Sequence, residues 1–77
     1  MTIRFYVTED ALAVAEALLL CGDTIVDSVE VHDVEDGSVD AYVDAHLYKD
    51  SKPNYFELGM VLGEQGVGKY VCYHKEI

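Results

Sequence analysis

Two neighbouring runs, residues 25 to 34 and 38 to 48, alternate apolar and polar side chains and are separated by Glu35-Asp36-Gly37. A period of two commits this stretch to an antiparallel hairpin with one apolar and one polar face. A two-residue turn at Asp36-Gly37 would oppose Val31 to Tyr42 and Val29 to Asp44, mixing core and solvent residues. A three-residue loop with Gly37 as the left-handed residue of a bulge opposes Val31 to Ala41, Val29 to Val43 and Ile25 to Leu47, and one face becomes uniformly apolar. The expected outer face then carries Ser28, Glu30, His32, Asp40, Tyr42, Asp44, His46 and Tyr48, with His32 opposite Asp40. Asp27 would point inward opposite Ala45, so a bulge or a late strand start is expected there.

The flanks supply the rest of one small domain, residues 1 to 77. At this length about 60% of the unfolded surface can be buried, enough for a single core. Residues 2 to 7 place Ile3, Phe5 and Val7 on one side of a strand and Arg4 and Tyr6 on the other. Thr8 as N-cap, Glu9 and Asp10 in a first turn and Gly22 as a left-handed stop predict a helix over 9 to 21. Its core stripe is Ala11, Val14, Ala15 and Leu18, flanked by Leu12 and Leu19. Glu16 and Leu20 lie opposite, which makes them the candidate residues of a homodimer contact.

After the loop Asp50-Ser-Lys-Pro-Asn54, residues 55 to 62 can be read two ways. As a strand they put Phe56, Leu58, Met60 and Leu62 on one face; as a short helix, Asn54 and Glu57 form a capping box and Gly63 ends it. Gly59 in the middle of the segment favours the strand. A glycine-rich hairpin turn would then lead to a last strand over 69 to 75. The expected class is α+β: a mainly antiparallel sheet of four to five strands with one helix packed on one face, in the order β-α-β-β-β-β.

Motifs with chemical content are weak. Gly63-Glu-Gln-Gly-Val-Gly68-Lys69 matches the first seven positions of a phosphate-cradling loop, but Tyr70 stands where the magnesium-binding Ser or Thr belongs. Too few residues follow for the helix that binds the phosphate, so the glycines read as turn formers. Cys72 and His74 share a strand face at a spacing of about 7 Å, too far for a direct thiol-imidazole hydrogen bond. His32, His46, Asp40 and Asp44 do not converge into a closed four-ligand metal set. Two cysteines, Cys21 and Cys72, are too few for a disulfide framework and read as small buried thiols. No enzyme, cofactor or metal is expected.

Charge is the informative feature. Fifteen acids against five bases give a net charge of −10. This disfavours nucleic acid or an anionic membrane as a direct ligand and favours a basic partner. Residues 1 to 48 hold eleven of the acids against Arg4 alone, whereas 49 to 77 hold four acids and four lysines. A surface needing only solubility would intersperse both signs, because like charges across a hairpin repel. Carboxylates on one strand face recur every ~7 Å or multiples of it, close to the spacing of successive phosphates.

The expected partner-binding set is Glu30, His32, Asp33, Glu35, Asp36, Asp40, Tyr42 and Asp44. In size, acidity and lack of a catalytic motif the chain resembles small phage-encoded anti-defence proteins, such as anti-CRISPR inhibitors and other DNA mimics. The likeness covers the whole chain in these general properties. It implies docking on a basic, nucleic-acid-binding site of another protein in the cytoplasm of a host cell. Glu30, Asp40 and Asp44 would supply charge and Tyr42 an anchor. The alternative is a structural or adaptor protein that dimerises through its apolar helix. No run is long and apolar enough to span a bilayer, and the N-terminus lacks a signal-peptide pattern.

Overall fold

The computed structural model describes residues 1–34 and 39–77. Its elements are β1 (Thr2–Val7), α1 (Ala11–Leu18), β2 (Val26–Asp33), β3 (Ala41–Leu47), α2 (Tyr55–Glu64), a 3-10 turn (Gly68–Tyr70) and β4 (Val71–Glu76). The four strands form one antiparallel sheet in the order β2-β3-β1-β4. The class is α+β, but the element order is β-α-β-β-α-β, a split β-α-β arrangement of the ferredoxin-like kind. Two helices, rather than one, share a single core with the inward residues of β1 and β3.

The strand expected over 55 to 62 is therefore corrected to a helix. The Asn54 side chain accepts a hydrogen bond from the Glu57 N–H at 3.1 Å, closing the first turn. Leu58, Val61 and Leu62 are buried at helical spacing, while Phe56 is 80% exposed. Tertiary burial of that stripe outweighs the cost of Gly59, about 1 kcal/mol against Ala. The glycine run ends this helix instead of turning a hairpin. Gly66 sits at φ 74, its N–H bonds to the Gly63 carbonyl, and the Val67 N–H bonds to the Leu62 carbonyl, both at 3.0 Å. These two bonds form a Schellman stop with Val67 tucked against the core.

Helix α1 is shorter than the expected 9 to 21. Asp10, at φ 52, is its N-cap, and its carbonyl accepts from the N–H groups of Ala13 and Val14. Thr8 is instead drawn toward β4, its N–H and hydroxyl both donating to the Tyr70 carbonyl. Gly22 does not adopt a left-handed conformation. Of the expected stripe Val14, Ala15 and Leu18 are buried and Ala11 is half-buried; Ala17 joins them, whereas the flanking Leu12 and Leu19 are corrected to exposed, because the core lies on the Val14–Ala17 side of the helix.

The β2–β3 register is shifted by two residues from the expected one. Val31 opposes Val43, Val29 opposes Ala45, and His32 opposes Tyr42 rather than Asp40. A shift of two preserves which face each side chain occupies, so the apolar side still points inward. The expected Gly37 bulge falls on residues outside the described ones. The irregularity expected at Asp27 is present, because the ladder steps from Val26↔Leu47 to Ser28↔His46. That extra residue reverses the alternation, turning Val26 toward the core and leaving Ile25 exposed.

Candidate binding surface

The sheet face opposite the helices is built in rows that cross all four strands, because antiparallel partners place their side chains side by side. One row is aromatic: His32 on β2, Tyr42 on β3, Tyr6 on β1 and Tyr73 on β4. Ring centroids are 4.8 Å apart between His32 and Tyr42, 6.1 Å between Tyr42 and Tyr6, and 4.4 Å between Tyr6 and Tyr73. The adjacent row is charged: Glu30, Asp44, Arg4 and Lys75, in the same strand order.

Within that row Arg4 and Asp44 form a bidentate pair. Arg4 Nε donates to Asp44 Oδ1 at 2.8 Å and Nη2 donates to Oδ2 at 3.1 Å. Asp44 is only 6% exposed, and the guanidinium carbon lies 4.0 Å from the centre of the Tyr42 ring. Hydrogen bonding to Asp44 raises the Arg4 pKa further above its ordinary value, against the opposing effect of desolvation. Burial opposes ionisation of the Tyr6 phenol, but Lys75 and Arg4 outweigh it and hold the group below its ordinary value.

Glu30 joins this row to the next. Its carboxylate meets His46 Nε2 at 2.8 Å and His32 Nε2 at 3.2 Å, and His46 Nδ1 meets the Thr2 hydroxyl at 2.8 Å. No group of three His, Cys, Asp or Glu side chains suited to a metal ion occurs among the described residues.

The residues singled out from sequence thus separate into two groups. Glu30, His32, Tyr42 and Asp44 come together on the outer sheet face. Asp33 and Asp40 are exposed where the two strands leave the sheet, and Glu35 and Asp36 lie outside the described residues. Asp44 is corrected from an open carboxylate to a neutralised one, and Tyr42 from an open anchor to a ring held between Arg4 and His32. Sequence reasoning placed Arg4 and Tyr6 on the polar side of their strand but missed their role. The signal was there, since Arg4 is the only base in an acidic half-chain.

Leu20 is 60% exposed and Glu16 is exposed beside it, as expected. With Leu19, Ala13, Ala17 and Val67 they line an open groove of about 440 Å³. Cys21 is buried, whereas Cys72 is exposed, contrary to its expected burial, because β4 is an edge strand. No family model, curated protein or solved structure matches the chain.

Proposed function

We propose that this chain is a non-catalytic acidic binding protein that works in the cytoplasm. It docks the β2 edge and the β2–β3 hairpin on a basic surface of a partner protein, of the kind that holds nucleic-acid phosphates, and occludes it. One observation supports the reading above others. Asp23, Asp27, Asp33 and Asp40 are exposed around β2 and have no Lys or Arg ion-pair partner among the described residues, while Arg4 is already held by Asp44. The sheet is electrically polar, with its acids gathered at β2 and lysines near β4. Within the sheet, a partner cation therefore meets the unneutralised carboxylates of the described residues at the β2 side, which favours docking by that edge and speeds it.

The test is affinity capture from a host lysate at low and high salt, followed by displacement with duplex DNA or RNA. The reading requires partners rich in basic nucleic-acid-binding proteins, released by salt and by nucleic acid. Reversal of Asp27, Asp33 and Asp40 to Lys must abolish capture. Capture that survives both high salt and charge reversal would sink the proposal.

A second reading, a structural or adaptor protein assembling through α1, draws on the exposure of Leu12, Leu19 and Leu20. Glu16 in the middle of that stripe counts against a symmetric contact. Leu20→Glu tests it, since loss of a dimer on that change would favour α1 as the contact.

A further inference from the structure

We propose that the outer sheet face is a self-recognition surface, on which two copies of the chain stack face to face about a two-fold axis running along the strands between β3 and β1. Charge balance singles this face out. Its charged row sets Glu30 and Asp44 against Arg4 and Lys75, a sum of zero in a chain of net charge −10. The helical side offers no such balance, because α1 and α2 carry Glu16, Glu57 and Glu64 and no Lys or Arg. Two copies can meet by the outer face without a net repulsion, which is not so at the helices or at the acidic β2 edge.

The order of the charges identifies the occupant as a second copy. Across the sheet, in the strand order β2-β3-β1-β4, the row runs acid, acid, base, base. A half-turn about the stated axis reverses that order in the other copy while keeping each row against itself. Glu30 then faces Lys75 of the other copy and Asp44 faces its Arg4, each contact occurring twice. The aromatic row obeys the same operation, so that His32 meets Tyr73 of the other copy and Tyr42 meets its Tyr6. Because strand twist has one hand, the rotated copy presents the same saddle shape, and the two sheets stay evenly apart at the ~10 Å of aligned sheet packing.

The groups this contact needs are open. Glu30 and Lys75 are exposed at opposite ends of the charged row, and Lys75 has no carboxylate partner among the described residues. Tyr73 is 54% exposed at the end of the aromatic row. Arg4 and Asp44, already paired within the chain, supply the neutral centre. A single-stranded nucleic acid also stacks on aromatic rings, but it needs a positive groove along its backbone, and the charges of this face cancel. Four strands about 4.8 Å apart and about six residues long give a footprint of roughly 400 Å² per copy, the size of a weak, transient contact. The contact is independent of docking by the β2 edge, since Asp27, Asp33 and Asp40 take no part in it.

Sedimentation equilibrium from micromolar to millimolar concentration at physiological salt tests this directly. The mass of the parent chain should approach that of two copies. Glu30→Lys sets lysine against lysine and Lys75→Glu sets glutamate against glutamate, so each alone should weaken association by roughly tenfold or more. An equimolar mixture of the two variants should associate as the parent does, because opposite signs face each other again. The double variant Glu30→Lys/Lys75→Glu should do the same, and Leu20→Glu should change nothing. The mixture separates lost contact from lost fold, since two unfolded chains would not rescue each other. A monomer at every concentration overturns the proposal, as does a dimer indifferent to either reversal, one not rescued in the mixture, or one lost with Leu20→Glu. So does a monomer whose tyrosine fluorescence is quenched by a short oligouridylate, which would assign the aromatic row to single-stranded RNA.

Discussion

Arg4 of β1 holds Asp44 of β3 through two hydrogen bonds of 2.8 and 3.1 Å that bridge the neighbouring strands. The pair joins the only base of the N-terminal half to a carboxylate that is almost fully covered. Removing one partner strands the other, which is the costly way to break such a pair. Arg4→Met should therefore lower the melting temperature by about 5–10 °C, and adding Asp44→Val should recover much of that loss. Calorimetry of the single and double variants checks it. An Arg4→Met protein as stable as the parent would contradict the geometry.

Helix α2 makes a sharper prediction because strand and helix bury different residues. Leu58→Ala should cost about 3 kcal/mol by urea unfolding, and Phe56→Ala less than about 0.5 kcal/mol. In a strand with Phe56 and Leu58 on one face the two costs would be alike. Asn54→Ala should cost about 1 kcal/mol through loss of the cap.

Thr24 and Asn54 tie this helix to the entry of β2. The Thr24 hydroxyl accepts from the Asn54 N–H at 2.8 Å and donates to the Asn54 carbonyl at 3.1 Å, with Thr24 fully buried. Thr24→Val keeps the shape but leaves the Asn54 backbone groups without that partner. Its expected cost is about 1–3 kcal/mol, whereas Thr24→Ser should retain both bonds and most of the stability.

The two thiols should react on different terms. Burial, aided by the charge of Glu57, pushes Cys21 up from 9.0 to about 11. At pH 8 its thiolate fraction falls by roughly a hundredfold, so iodoacetamide should modify exposed Cys72 first and Cys21 only on unfolding. Mass spectrometry of the time course reads the order. Because the folded value is raised, the contribution of Cys21 to stability is complete below pH 9.0 and declines as pH rises toward about 11.

Tyrosine ionisation offers a check on the outer face. Tyr6 should ionise below the ordinary phenol value, and Tyr55, held up by its hydrogen bond to Glu76, above it. Lys75→Met should move the Tyr6 titration upward, since it removes a cation that favours the phenolate. Ultraviolet difference titration resolves the shift; an unchanged Tyr6 step would detach Lys75 from it.

The amino-acid sequence by itself determined what depends on local alternation and composition. The inward faces of β1 and β3, the centre of the α1 stripe at Val14, Ala15 and Leu18, the bulge at Asp27 and the acid excess of the first half were legible because each rests on side-chain periodicity or charge counting. Tertiary structure decided what depends on distant neighbours. Residues 55 to 64 became a helix because Leu58, Val61 and Leu62 had a core to enter, which outweighed Gly59. Asp44 changed from an open charge to a paired one because strand order set β1, with Arg4, beside β3. A register of side chains can be read along one strand, but which strand lies next to it is settled only when the whole sheet closes around its core.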